Sequence, residues 1–167
     1  AVLAVGCGGD NGASPTSPTA PATPEVPLAW DAEIVGAAPA PGGILRLSAP
    51  NETPVELEVV FSVSVPAGQA GTYHWNTVLQ AAHPPGSGFV VPVVTTAFQE
   101  VPLEVGVQEV TVTGFKTTNA VCNNLASTPA ATQSLDIDVR APGAPIGQQQ
   151  PQVMGKQLDA TWELRCQ

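Results

Sequence analysis

Few side chains in this sequence have the means to do chemistry. There are two histidines, His74 and His83, three cysteines, Cys7, Cys122 and Cys166, and two carboxylate pairs spaced by one residue, Glu56/Glu58 and Asp136/Asp138. A histidine acts as a general base only when a nucleophile and an orienting group stand within hydrogen-bond reach. His74 lies between Tyr73 and Trp75 in an alternating stretch and is expected on the outer face of a strand, and His83 falls in a proline-rich turn. The sequence holds no Gly-x-Ser-x-Gly elbow, phosphate loop, His-Glu-x-x-His or dinucleotide fingerprint, so no catalytic residue is expected. Carboxylates two apart in a strand share a face at about 6.6–7 Å, close enough for each pair to lend oxygens to a calcium ion. Neither pair sits in a calcium loop, and solvated outer faces are the expected reading of both. Two cysteines and two distant histidines lack zinc-ligand spacing, so no metal and no cofactor is expected. Asn51-Glu52-Thr53 has the form of a glycosylation acceptor, with Pro54 directly behind it.

Charge narrows the partners. Fourteen acidic residues against five basic ones give a formal charge of −9. Such a surface repels phosphate backbones, so nucleic acid is excluded as a partner, and direct docking on anionic headgroups is disfavoured. The acidity is read as a solubility device. Only 11% of residues are charged and 43% are hydrophobic, enough apolar material for one core. Eighteen prolines and 16 glycines punctuate it, a composition for many short strands rather than long helices.

Those strands are marked by period-two alternation. Trp30, Ala32 and Ile34 alternate with acidic residues, and Leu45 and Leu47 flank Arg46. Val55, Leu57, Val59, Phe61, Val63 and Val65 share one face of the clearest strand, and Tyr73, Trp75, Thr77 and Leu79 share one face of the next. Residues 89–98 read as a strand interrupted by Pro92, which points to an edge or a bulge; Val90, Val91, Val93 and Val94 make both of its faces apolar. Further strands follow over 101–113, around Leu135, Ile137 and Val139, and over 158–166. The sum is eight or nine short strands, an all-β antiparallel sandwich. Trp30, Trp75 and Trp162 fall in phase with apolar positions and are expected in the core; an exposed aromatic platform is the alternative. Residues 141–151 form a long uncharged connection, a mobile loop or an interaction element.

The beginning of the chain carries a resemblance. Ala4-Val5-Gly6-Cys7, behind small apolar residues, resembles the bacterial lipobox. The resemblance implies diacylglycerol on the Cys7 thiol and an extracytoplasmic, membrane-anchored protein of a bacterium, on the periplasmic side or the cell surface. Ala4 departs from the commoner leucine. Ser/Thr/Ala-Pro units follow, which cannot form a core and favour extended polyproline II. The expected organisation is a signal-peptide end and lipobox over 1–7, a tether over 8–25 and a sandwich over 26–167. An oxidising compartment and an even pair of remaining cysteines predict a Cys122–Cys166 disulfide. The stretch Leu103-Glu-Val-Gly-Val-Gln-Glu-Val-Thr-Val-Thr-Gly114 is similar to the turn and following strand of immunoglobulin-like and fibronectin type III-like domains. The function expected is that of a non-enzymatic accessory subunit docked on a larger membrane protein complex. The alternative is a surface ligand- or carbohydrate-binding module, which would show two outer-face aromatics.

Overall fold

Alternating side chains become strands along most of the chain in a computed structural model, which describes residues 30–48, 50–82, 87–118, 122, 130–141 and 150–167. Cys7, the tether over 8–25, His83 and most of the 141–151 connection lie outside the described residues. The strands are β1 (Asp31–Ala38), β2 (Ile44–Leu47), β3 (Glu58–Val65), β4 (Gly71–Ala82), β5 (Val90–Thr95), β6 (Gln99–Leu103), β7 (Gly106–Val112), β8 (Lys116–Thr117), β9 (Ala130–Arg140), β10 (Gln152–Leu158) and β11 (Glu163–Cys166).

They form the expected all-β, sandwich-like arrangement of two sheets. The smaller runs β1-β3-β7, and the larger runs β2-β11-β9-β4-β5-β8, with β10 on β9 and β6 on β4. β3 shows why the faces separate: Val59, Phe61, Val63 and Val65 are buried, while Glu58 is exposed and Ser62 and Ser64 are half-buried on the other face. Register keeps the faces aligned, with Phe61 opposite Val110 of β7 and Ile34 of β1. β4 lies in the middle of the larger sheet and sends Tyr73, Trp75, Thr77, Leu79 and Ala81 inward.

Three details differ from the sequence reading. Within 89–98 stands the one strand β5, on one end of β4, and the bulge expected at Pro92 is a register shift opposite Leu79 and Gln80, but β6 begins already at Gln99 and takes the other end of β4. The expected strand at 158–166 is broken at 159–162, and β10 precedes the break. β10 carries no alternating apolar signal; only Met154 among its residues is buried. One pairing is parallel, β2 with β11, which joins the early chain to its last strand. β8 and β10, which no alternation marked, bring the described strands to eleven.

Trp75 and Trp162 are fully buried, as expected. The Trp162 indole N–H donates to the Pro39 carbonyl at 2.9 Å, across the cis Ala38-Pro39 peptide segment. Trp30 is half-buried, its ring edge-on to Tyr73 at 4.8 Å between centroids. The stretch from Leu103 to Gly114 is a turn followed by the strand β7, and it carries the chain from β6 in the larger sheet to β7 in the smaller. Gly106 opens β7 at φ +106°, a conformation that glycine adopts without a Cβ clash, so the chain can cross between sheets there.

At one side of the sandwich Lys156 of β10 reaches Asp31 of β1 and ties the two sheets together. The Lys156 hydrogen bond, then the Ala32 backbone N–H, hold the Asp31 carboxyl below the usual carboxylate range. A depressed folded-state pKa means that this contribution is present above the unfolded carboxylate's pKa and is lost as pH falls through the folded one. Asp31 is largely exposed, so solvent screening limits the pair to about 0.5 kcal/mol. Asp31→Asn is expected to lower stability by that small amount at pH 7 and by nothing at pH 2, read from urea midpoints at both values.

Candidate functional site

The antiparallel register of β4 and β9 sets the sequence-predicted residues in rows on the outer face of the larger sheet. Val78 stands opposite Asp136, Asn76 opposite Asp138 and His74 opposite Arg140. β10 extends the rows with Gln157, Gly155 and Gln152. Asp136 and Asp138 therefore share a face, as expected, but each has its own donors. Asp136 accepts from Gln80, and from the Ser134 hydroxyl at 3.1 Å. Asp138 accepts from Arg140 Nε at 2.8 Å and from Gln152 Nε2 at 2.9 Å. Gly155 makes room for the second contact: a Cβ there would lie 2.7 Å from Gln152 Nε2. The arginine is shared further, its guanidinium 5.7 Å from the centre of the Phe98 ring. An open depression of ≈ 420 Å³ runs over this surface, lined by Val78, Asp136, Asp138, Gln152, Lys156 and Gln157.

His74 sits at one end of the network and is only 7% exposed. Its Nδ1 is 2.7 Å from Gln150 Oε1 and its Nε2 is 3.6 Å from Glu100 Oε1. Through these contacts the ring cross-links β4, β6 and the approach to β10. Glu56 and Glu58 are both exposed, Glu58 opening β3 opposite Ala38. Among the described residues no three His, Cys, Asp or Glu side chains are grouped to hold a metal ion. What this face can do chemically is present a fixed pattern of amide, carboxylate and guanidinium groups to a partner.

Cys122 and Cys166 form a disulfide, with their Cα atoms 5.4 Å apart. Trp75 and Trp162 are withdrawn from the surface, which leaves half-buried Trp30 as the single tryptophan with exposed area. The exposed large apolar residues are elsewhere: Val35, Phe89 and Val90 at the start of β5, and Val105 and Val107 at the start of β7. Sequence reasoning missed the Arg140–Phe98 contact and the roles of Gln150 and Gln152, because lone polar residues in uncharged stretches carry no spacing signal. Among the described residues no helix is long and apolar enough to cross a membrane. The chain matches no protein-family model, no curated protein and no solved structure.

Proposed function

We propose that this chain is a lipid-anchored, extracytoplasmic accessory module of a bacterium, with no chemistry of its own, that docks its sandwich on a larger membrane protein complex. The observation that carries this reading is the pairing of two of the three cysteines. Cys122 and Cys166 are joined in the fold, and disulfides persist in oxidising compartments. Cys7 is the one cysteine of the sequence outside that bridge, and it stands in the lipobox-like Ala4-Val5-Gly6-Cys7. A diacylglycerol there anchors the chain, and the proline-rich tether lets the domain reach a partner several nanometres away.

We further read the sandwich as immunoglobulin-like. β1, β3 and β7 take the places of strands A, B and E, and β4, β9 and β10/β11 those of C, F and G. Trp75 on β4 packs on Phe61 of β3, 5.4 Å between ring centres, at the place of the tryptophan that such domains bury on strand C. Their disulfide joins strands B and F, whereas here the bridge reaches the last strand.

The test is expression behind a complete secretion leader in a bacterial host that performs lipid modification. The wild-type chain should partition into detergent, carry the mass of a diacylglyceryl group and co-migrate with a larger assembly after gentle solubilisation. Cys7→Ser should move it to the aqueous phase. A wild-type chain that stays aqueous overturns the anchor, and one that is lipidated but migrates alone overturns the docking.

A further inference from the structure

Four of the five cations in this acidic chain are taken by carboxylates of the same chain. Lys116 pairs with Glu52 at 3.2 Å, Arg140 with Asp138 at 2.8 Å, Arg165 with Glu163 at 2.7 Å, and Lys156 with Asp31. Arg46 is the fifth. Among the described residues it has no hydrogen-bond or ion-pair partner. Its side chain is exposed, between Leu45 and Leu47, which point into the core at 1% and 0% exposure.

Arg46 lies on an open edge. β2 pairs with β11 on one side, and among the described residues no strand lies on the other. The Glu163 N–H donates to Gly43 O at 2.9 Å and the Gln167 N–H to Leu47 O at 2.9 Å. The odd-numbered backbone groups therefore face β11. Since neighbouring residues of a strand alternate, the N–H and C=O of Ile44 and Arg46 face outward. Beside them is a depression of ≈ 400 Å³ lined by Pro39, Ile44, Arg46, Ser48, Pro54 and Glu56, with Gln167 at its rim. Glu56 makes no bond to Arg46, so the guanidinium's planar set of donors remains available for a carboxylate.

From this geometry we infer that the free edge of β2 is a docking site for an extended polypeptide strand of a partner protein, which pairs with Ile44 and Arg46 through its backbone and sets an acidic side chain on the Arg46 guanidinium. Outward donors and acceptors in alternation match a strand; a simple anion would use donors alone. Charge complementarity selects the acidic residue, because among the described residues Arg46 is the one lysine or arginine without a carboxylate partner. The inference rests on the docking reading only in taking the partner to be a protein.

The probe is the peptide acetyl-Thr-Val-Glu-Val-Thr-Val-amide, titrated into the isotope-labelled full chain, with a twin that carries Gln in place of Glu. Amide shifts should move at 44–48 and at Gln167, and the Glu peptide should bind about fivefold more tightly than the Gln peptide. Arg46→Ala should erase that difference while leaving the remaining spectrum in place. Ile44→Pro removes an outward N–H at an edge that tolerates proline and should abolish binding of both peptides. Equal affinity for the two peptides, shifts outside this edge, or the same shifts from inorganic phosphate would each overturn the assignment. Loss of the edge assignment leaves co-migration with a membrane assembly untouched, and lone migration leaves peptide binding untouched, so the two readings fail separately.

Discussion

Trp75→Ala is expected to remove about 4 kcal/mol of folding stability, a large share of what a domain of this size has. Trp75 is fully buried on the central strand β4, against Phe61 of the opposite sheet. Truncation to alanine leaves a void between the sheets that two hydrogen-bonded layers cannot close. The indole also carries a polar demand that the sequence meets locally. Its N–H donates to the Thr77 hydroxyl at 2.9 Å, from the next inward position of the same strand, and the Thr77 N–H in turn donates to Thr96 Oγ1 at 3.0 Å. Thr77→Val keeps the volume and strands the indole N–H, at a cost of about 1–3 kcal/mol. The two losses share one contact, so the double variant should cost less than their sum. Urea midpoints with an unchanged slope are the measurement; a Trp75→Ala loss below about 1 kcal/mol would mean that the indole does not hold the sheets together.

Period-two alternation was enough to place β3 and β4, since both have one face on the core and one on solvent. It was enough for Trp75 and Trp162 for the same reason. It failed at β10, an outer strand whose residues Gln152, Gly155 and Gln157 line the polar surface and whose inward positions include Lys156, bound to Asp31. A strand that buries one methionine has no hydrophobic rhythm to read. Nor could local pattern foresee that β5 and β6 share β4 end to end, because that arrangement is fixed by β4's twelve-residue length.

The chemistry was readable in the opposite sense. Asp136 and Asp138 could be put on one face from spacing alone, yet spacing could not tell a calcium pair from two carboxylates held by Gln80, Ser134, Gln152 and Arg140. That distinction depends on cross-strand neighbours far away in sequence. Arg46 stood in plain view as a lone polar residue between two leucines. Its meaning appears only when the other four cations are found paired and β2 is found at an edge.

Loss of the disulfide is the other large effect. Cys122 and Cys166 are separated by 44 residues, and closing a loop of that length in the unfolded chain contributes about 4 kcal/mol in the chain-entropy account. The double variant Cys122→Ala/Cys166→Ala should therefore melt on the order of 10 °C below the oxidised wild type. Reduction of the wild type should bring it down to the same level, with no effect on the double variant. The loss should also reach the open edge. Cys166 stands opposite Leu47 in the parallel pairing of β11 with β2, and the following Gln167 N–H bonds to Leu47 O. Among the described residues β11 meets β9 at Glu163 and Leu164, and its far end is held by β2 and by the bridge at Cys166. Without it β2 and β11 should fray together, and amide exchange should quicken at residues 45, 47, 165 and 167 more than at residues of β3 or β4. Peptide binding at Arg46 should weaken in step. A melting point that falls with no selective exchange at β2 and β11 would show that the bridge acts on the unfolded chain alone, whereas fraying confined to that corner would show that it also holds the docking edge in shape.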